Sequence, residues 1–297
     1  MLSATAPLPA FTQAMALGVG GLFALSWLIQ TLEFARIFAS PQGDWWDWSL
    51  QRADIPNPWL RSCADQLFSA VGMRWQMGLR ILAGLALPGL IYSSVMTEPG
   101  LGSSPQSAGH FPHWILWLTL ATTGLLTVLH VLMLIRWRGA FNGGSDFMTL
   151  MVLLGLLLAS TVSLLGHPAL GWRAGFAFIT LQAISSYFLS GSVKLLRPEW
   201  RSGQAMTLFL NEAVRGPLST RHWARRPLLA RWASWSFILW ECAFPLALWQ
   251  ADWALLFCTV AAVFHFLVFW FFGLNRFFWA WLATFPAIIW CAAVPWN

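Results

Sequence analysis

The chain has 297 residues, of which 58% are hydrophobic and only 9% are charged, and its formal net charge is +6. A soluble domain carries roughly 25% charged residues, so water cannot be the solvent for most of this surface, and the composition predicts an integral membrane protein in a lipid bilayer. The positive balance does not indicate a nucleic-acid partner, because the arginines do not form a soluble basic face; it is better explained by membrane topology.

Eight apolar runs are each long enough to cross a hydrocarbon layer of about 30 Å. They are predicted at residues 12–37, 78–96, 114–135, 147–165, 172–195, 228–249, 253–272 and 276–294. Polar or Pro/Gly-rich stretches separate them, and no fixed-period repeat is visible. The predicted fold is therefore all-α: a polytopic membrane helical bundle of about eight transmembrane helices plus short interfacial helices, forming a single membrane domain over residues 1–297.

Three connections between the spans are long enough for their structure to be predicted separately. Residues 42–76 mix tryptophan, acid and arginine, which predicts a segment lying on the membrane surface, so that residues 1–74 comprise an N-terminal helix and a Trp-rich interfacial segment. Residues 199–226 are predicted to include a short interfacial helix. Residues 97–112 are predicted to be an exposed polar loop.

The basic residues are concentrated in every second connection between the spans, and this predicts the orientation of the chain in the membrane. Those in or beside the odd-numbered connections are Arg36, Arg52, Arg61, Arg74, Arg80, Arg136, Arg138, Lys194, Arg197, Arg201, Arg215, Arg221, Arg225, Arg226, Arg231 and Arg276. The opposite side has only Arg173. The positive-inside rule then predicts eight spans with both termini outside, in the periplasm if the membrane is a bacterial inner membrane. The N-terminus lacks the basic region of a cleaved signal peptide.

Four cysteines, Cys63, Cys242, Cys258 and Cys291, show neither a CxxC pair nor a His/Cys spacing typical of metal sites. Three of them lie inside apolar runs. We interpret them as small buried apolar residues, and no metal site is predicted.

Ionisable residues inside spans are costly and by default indicate function. His130 and His265 are each flanked by apolar residues, and a lone buried histidine is more often a satisfied packing residue than a ligand. Glu241 is harder to explain by packing, because a carboxylate near mid-bilayer must be neutral or paired. The cations available to pair with it are Lys194, Arg80, Arg231 and a protonated histidine.

Two basic residues lie near span ends and have competing interpretations. Arg80 is expected to extend its long side chain back to the membrane surface. Lys194 is the only lysine of the chain. It is either a similar anchor at the end of the fifth span or a functional base, because lysine can lose its proton when desolvated whereas arginine stays charged.

The segment YFLSGSVKLLRPEWRSGQAM, from Tyr187 to Met206, resembles the signature Y-hydrophobic-x-G-x-x-K-L…W-x-x-G-x-A-hydrophobic of the horizontally transferred transmembrane (HTTM) domain. That domain is the membrane core of vitamin K-dependent γ-glutamyl carboxylase and many bacterial relatives. RWRGAFNGGSDFMTLMVLLGLLLA resembles the family's arginine-then-NGGD segment, with a serine inserted before Asp146. WECAFPLALW and FHFLVFWFFGLNRFFWAW resemble its late helices. The matches follow the family order over about residues 75–290.

The resemblance implies an oxidoreductase or carboxylase-related enzyme that acts on a quinol or another lipid-soluble substrate. In the carboxylase a lysine of this segment deprotonates reduced vitamin K, and Lys194 takes that position here. The predicted catalytic residues are Lys194, Glu241, His265 and His130, and the predicted cofactor-binding residues are Tyr187, Trp200 and Arg80. The implied cofactor is a quinone or quinol.

The sequence departs from the carboxylase pattern in three respects. The carboxylase has two adjacent lysines in this segment, whereas Val193 and Leu195 flank Lys194 here. Its large luminal region, which binds the protein substrate, has no counterpart in these residues, so protein γ-carboxylation by this chain alone is not expected. It works on the luminal side, whereas the arginines place Lys194 towards the cytoplasm.

Two classes of function stay open from the sequence. One is the enzyme just described. The other is a non-enzymatic membrane subunit or assembly factor that binds a lipid, a quinone or a membrane or periplasmic protein partner, in which Glu241 and the two histidines only fasten helices together. A transporter ranks last, because there is no inverted repeat and no matching pair of broken helices.

Overall fold

A computed structural model describes residues 10–39, 48–96, 113–137 and 143–294. All regular elements in these ranges are helices, without a strand. Seven helical segments among them are long and apolar enough to cross a membrane. The predicted all-α, polytopic membrane bundle is therefore confirmed.

The α-helices are short at the two predicted surface segments and at the C-terminal end of the described chain, and long elsewhere. In chain order they are α1 (Ala10–Ala39), α2 (Trp48–Arg52), α3 (Pro58–Leu67), α4 (Ala70–Met96), α5 (His113–Trp137), α6 (Gly143–Leu164), α7 (Pro168–Leu196), α8 (Pro198–Arg201), α9 (Gln204–Phe209), α10 (Pro227–Ala243), α11 (Ala251–Phe272), α12 (Asn275–Leu282) and α13 (Phe285–Ala293). Two 3₁₀ helices, Trp223–Arg225 and Phe244–Leu248, lie on either side of α10.

The sixth predicted span, 228–249, is not among these seven segments. Its residues form α10 followed directly by the 3₁₀ helix Phe244–Leu248. Pro245 has no amide hydrogen, and its ring would clash with the carbonyl of Glu241 four residues earlier, so the α-helix cannot continue. The amide of Phe244 instead donates to the Glu241 carbonyl in the tighter i→i−3 pattern.

By internal contacts the chain divides into two compact units, with the boundary between Gly175 and Phe176, inside α7. The prediction of one membrane domain over the whole chain stays a prediction. In the first unit α1 packs along α4, α4 along α5, and α5 along α6. Helices α1 and α4 approach closely at Gly84, where a Cβ would lie 2.6 Å from the Trp27 ring. In the second unit α11 packs against Phe244–Leu248, α12 and α13, while α10 packs against α8 and α9.

The predicted surface segments contain the short helices. Within residues 48–76, Asn57 caps α3 by accepting hydrogen bonds from the amides of Trp59 and Leu60 at 2.9 and 3.2 Å. Residues 199–226 are held together by Arg225, whose guanidinium donates to backbone carbonyls and to Asn211 Oδ1. Their placement on the membrane surface stays a prediction. The predicted loop 97–112 and residues 42–47 lie outside the described residues.

Candidate functional site

Helix α7 presents a polar stripe in the second unit. Tyr187, Ser190 and Lys194 recur at the three- and four-residue spacing that places side chains on one helical face. Gly191 lies on the same stripe, where a Cβ would lie 2.7 Å from the backbone nitrogen of Cys242 and 2.8 Å from Glu241 Cβ. The missing side chain therefore lets α10 approach α7 closely beside Lys194.

Lys194 and Glu241 form a buried pair at this approach. The Lys194 Nζ donates to Glu241 Oε1 at 2.6 Å, to Oε2 at 2.5 Å and to Ser190 Oγ at 2.7 Å, so each of its three hydrogens has an acceptor. The Lys194 side chain is 16% exposed and that of Glu241 4%. Nζ also lies 5.1 Å from the centroid of the Trp200 ring, in cation–π range. Among the candidate cations, Lys194 is thus the partner of Glu241, and it is held by contacts that a free surface anchor would lack.

This pair can hold a proton on either of two groups. An ion pair and a neutral amine–carboxylic acid pair contain the same number of protons and differ by one transfer along a hydrogen bond of about 2.5–2.6 Å. Burial penalises the separated charges, so the neutral form gains relative to its population in water. Arginine could not replace lysine in such an exchange, because it does not lose its proton in proteins.

A second buried pair joins α7 to α11. The Tyr187 hydroxyl lies 2.6 Å from His265 Nε2. The Tyr187 ring stacks on Phe244, with centroids 3.9 Å apart, and meets the edge of Trp240. The His265 ring stacks on Trp281 at 5.2 Å. Aromatic rings therefore fix both members of the pair in one geometry.

Three polar atoms around the Tyr187–His265 pair have no hydrogen-bond partner within the described part of the chain. They are His265 Nδ1, Trp240 Nε1 and Trp281 Nε1. With the tyrosine hydroxyl as donor to Nε2, the proton of the imidazole resides on Nδ1. Buried donors are normally satisfied, but none of these three nitrogens is accessible from outside the protein.

Arg80 lies in the first unit and does not reach the surface. It is 0% exposed. Its Nη2 donates to Gln30 Oε1 at 3.0 Å, its Nε donates to Thr31 Oγ1 at 3.1 Å, and its guanidinium lies 3.7 Å from the Trp27 ring centroid. The expectation that Arg80 snorkels is wrong, because α1 offers acceptors and an aromatic face that satisfy the cation inside the bundle.

His130 belongs to the same polar network as Arg80. Gln30 Nε2 donates to Asp146 Oδ1 at 3.2 Å, and His130 Nε2 donates to the Asp146 backbone carbonyl at 2.8 Å. The network thus joins α1, α4, α5 and α6, and it includes Asp146 of the NGGSD segment. Sequence analysis missed Gln30 because a neutral amide is not counted among ionisable residues. Its amide nevertheless contacts both Arg80 and Asp146.

The seven predicted site residues therefore fall into two groups. In the second unit Lys194 contacts Glu241 and Trp200, and Tyr187 contacts His265. In the first unit His130 and Arg80 share a network. A common pocket for all seven stays a prediction. Sequence analysis missed Ser190, Trp240 and Trp281; the spacing of Ser190, four residues before Lys194, was the available signal for it. Within the described ranges no three His, Cys, Asp or Glu side chains gather as a metal site would require.

Comparisons of the chain with protein-family models, with curated proteins and with solved structures found no match. The resemblance to the HTTM domain therefore rests on the quoted motifs alone.

Proposed function

We propose that this chain is an HTTM-like integral membrane enzyme that removes a proton from a lipid-soluble hydroxyl substrate of the quinol class, with Lys194 as the base. The observation that carries the proposal is the hydrogen-bonded Lys194–Glu241 pair, in which the only lysine of the chain contacts a buried carboxylate. Membrane residence fits such a substrate, because an apolar quinol partitions into the bilayer where this site lies.

The pair supplies the base in its neutral form, with the proton on Glu241. Lys194 Nζ then accepts the proton of a substrate hydroxyl: the O–H bond breaks, an N–H bond forms, and no electron is transferred. The resulting ammonium lies beside the substrate anion and stabilises it electrostatically. Ser190 Oγ orients Nζ, and the Trp200 ring stabilises the cation. Tyr187, on the same helix, pairs with His265 of α11 and forms a second group that can carry a proton.

We propose further that the membrane is a bacterial inner membrane and that both termini face the periplasm. The arginine distribution supports this orientation. Lys194 lies two residues before the end of α7, on the arginine-rich side, so the substrate hydroxyl would be deprotonated near the cytoplasmic end of the bundle.

The proposal is tested by anaerobic titration of the purified protein with a short-chain reduced naphthoquinone, following the absorbance of the quinol anion. We expect anion formation with the wild-type protein and loss of at least tenfold with Lys194→Arg, because arginine cannot accept the proton. Ser192→Ala, on another face of α7, is the matched control and should behave as wild type. Undiminished anion formation by Lys194→Arg would exclude Lys194 as the base.

A non-enzymatic membrane subunit is the second candidate, and one observation favours it. All three hydrogens of Lys194 Nζ already have acceptors, as in a pair that only fastens α7 to α10. This function predicts a protein partner that co-purifies in stoichiometric amount and stays bound when Lys194 and Glu241 are both replaced by leucine. Loss of quinol deprotonation in the same double variant, without a partner, would favour the enzyme.

A further inference from the structure

Three exposed arginines come together in the second unit, where α8 and α9 pack against the beginning of α10. Arg197 and Arg201 are four residues apart, and the Arg201 amide donates to the Arg197 carbonyl, so both lie on one side of a single helical turn. Arg231 belongs to α10. Its backbone nitrogen would lie 2.5 Å from a Cβ at Gly203, so Arg231 lies beside the turn that follows Arg201. We call these three residues the arginine cluster.

Two hydrogen bonds fix α8 on α10 and with it the position of the cluster. Ser234 Oγ donates to the Trp200 carbonyl, and Trp235 Nε1 donates to the Arg201 carbonyl at 3.1 Å. Ser234 and Trp235 follow Arg231 by three and four residues, so they lie on its side of α10. Arg231 therefore emerges at the edge of this contact, next to α8.

The positive charge of the arginine cluster is not neutralised within the described part of the chain. None of its three members forms a salt bridge with a described residue, and neither does Glu199, the exposed acid of α8. Three positive charges and one negative charge leave a net of +2 at this surface. Like charges at i and i+4 repel each other, so an anion that binds between Arg197 and Arg201 would be stabilised.

The cluster follows directly on a helix long enough to reach the lipid headgroups. α7 has 29 residues, about 43 Å at 1.5 Å per residue, whereas the hydrocarbon core measures about 30 Å. Leu228 and Trp232, three residues before Arg231 and one residue after it, are each 67% exposed. Apolar side chains that suit acyl chains and guanidinium groups that suit phosphates therefore lie side by side on this surface.

We propose that the arginine cluster binds the headgroup of an anionic phospholipid of the bilayer, of the phosphatidylglycerol type. Guanidinium groups donate paired hydrogen bonds to phosphate oxygens, and the acyl chains lie along Leu228 and Trp232. Charge selects the lipid, because phosphatidylglycerol carries a net negative charge, whereas the ammonium of phosphatidylethanolamine offsets its phosphate. This lipid site does not depend on the reaction proposed for Lys194.

The experiment compares these two lipids on the full-length protein. The purified chain is incubated with an equimolar mixture of phosphatidylglycerol and phosphatidylethanolamine of identical acyl chains, and retained lipid is counted by native mass spectrometry. We expect a preference of at least about fivefold for phosphatidylglycerol, the factor that a single arginine near anionic lipid gives. Equal retention of the two lipids overturns the proposal.

A matched pair of double variants tests the location. Arg201→Gln with Arg231→Gln removes two charges from the cluster and should lower the preference below about twofold, because two of the three phosphate donors are lost. Arg215→Gln with Arg221→Gln removes two exposed arginines of the same unit that lie outside the cluster, and should keep the wild-type preference. Equal losses in the two double variants would mean that only the total charge acts, and would overturn the local site.

A variant that gains preference covers the case in which the arginine variants do not fold. Glu199→Gln removes the one negative charge of α8 and leaves the three arginines in place. It should raise the preference for phosphatidylglycerol by at least about twofold, because the anionic headgroup no longer meets a like charge. A preference that stays the same or falls in Glu199→Gln rejects the headgroup contact at this cluster.

Discussion

The Lys194–Glu241 pair allows a prediction at the level of single residues. Removing one member of a buried pair leaves the other without compensation, which costs about 3–5 kcal/mol. Because Lys194 is 16% exposed and Glu241 4%, we expect Lys194→Met to lower the free energy of unfolding by about 3 kcal/mol, and Glu241→Leu by less, since it leaves the more exposed group unpaired. The double variant should recover most of the loss, because apolar pairs replace buried ion pairs at little cost.

Thermal unfolding of the four proteins in one detergent measures this coupling as a double-mutant cycle. Arg197→Gln, an exposed change just beyond α7, is the control and should leave the melting temperature within error. Additive effects of the two substitutions would show that the pair contributes no coupling energy to the fold.

At the scale of single residues, the sequence predicted a partner correctly where only a few charged residues were available to pair. Glu241 had few candidate cations, and Lys194 is the partner. The same reasoning failed for Arg80, whose partners include the neutral side chains of Gln30 and Thr31. A search for compensating charge does not detect amides and hydroxyls on a neighbouring helix, although these accept hydrogen bonds from the guanidinium.

At the level of helices, Gly191 controls how closely α7 and α10 approach. A methyl group there would lie 2.7 Å from a backbone nitrogen of α10, so the helices must separate. We expect Gly191→Ala to destabilise the protein by about 1–3 kcal/mol and to lengthen the Lys194–Glu241 contacts. Gly124→Ala, in α5 with nothing within 4 Å of the new Cβ, should instead stabilise by up to about 1 kcal/mol through helix propensity. Thermal unfolding of both variants decides, and a stabilising Gly191→Ala would refute the close approach.

The α2–α3 segment gives a pH dependence. Hydrogen bonds from Arg52, at 2.7 and 3.1 Å, and from Trp48, at 2.6 Å, lower the pKa of Asp65 below its ordinary value of 3.8. Because the folded pKa is depressed, the stabilisation is fully present above 3.8 and is lost as the pH falls through the folded pKa. The contact between α2 and α3 should therefore persist from neutral pH down to about 4 and open below it.

Amide hydrogen exchange of residues 48–67, corrected for the intrinsic pH dependence, tests this expectation. Protection should be constant above the ordinary carboxyl pKa and should fall below it. Asp65→Asn should lower protection already at neutral pH and remove the pH dependence. A variant that retains wild-type protection at neutral pH would mean that the carboxylate does not hold the two helices together.

Most span boundaries were predicted to within four residues, and the misses have particular causes. The span predicted at 78–96 begins eight residues earlier, at Ala70, so residues 70–76 belong to α4 and not to the predicted surface segment. The first predicted span, 12–37, corresponds to α1 (Ala10–Ala39), and 253–272 corresponds to α11 (Ala251–Phe272). The change to 3₁₀ geometry at Pro245 and the break between α12 and α13 were not predicted. Both occur inside continuous apolar sequence, where a hydropathy window does not change.

For the whole molecule, the composition indicates a membrane environment. Whether the number of spans is odd or even determines on which side of the membrane each connection lies. The low charge content led to a membrane bundle, which the helices confirm. The predicted orientation depends on whether the sixth span crosses the membrane, because α10 alone has 17 residues. At 1.5 Å per residue that length is about 26 Å, short of a hydrocarbon core of about 30 Å.

The 3₁₀ helix that follows α10 supplies the length that α10 alone lacks. Its five residues add about 10 Å at 2.0 Å per residue, for a total of about 36 Å. If α10 did not cross, the connection between α11 and α12 would move to the other side and take Arg276 away from the remaining arginine-rich connections, against the positive-inside rule.

We therefore expect eight crossings, with His167 and Gln250 on one side of the membrane and Ser219 on the other. Single-cysteine variants at these positions, in a background lacking Cys63 and Cys242, are labelled with an impermeant maleimide in intact cells. Labelling at His167 and Gln250, with Ser219 reacting only after permeabilisation, supports the eighth crossing, whereas Gln250 behaving like Ser219 would leave seven.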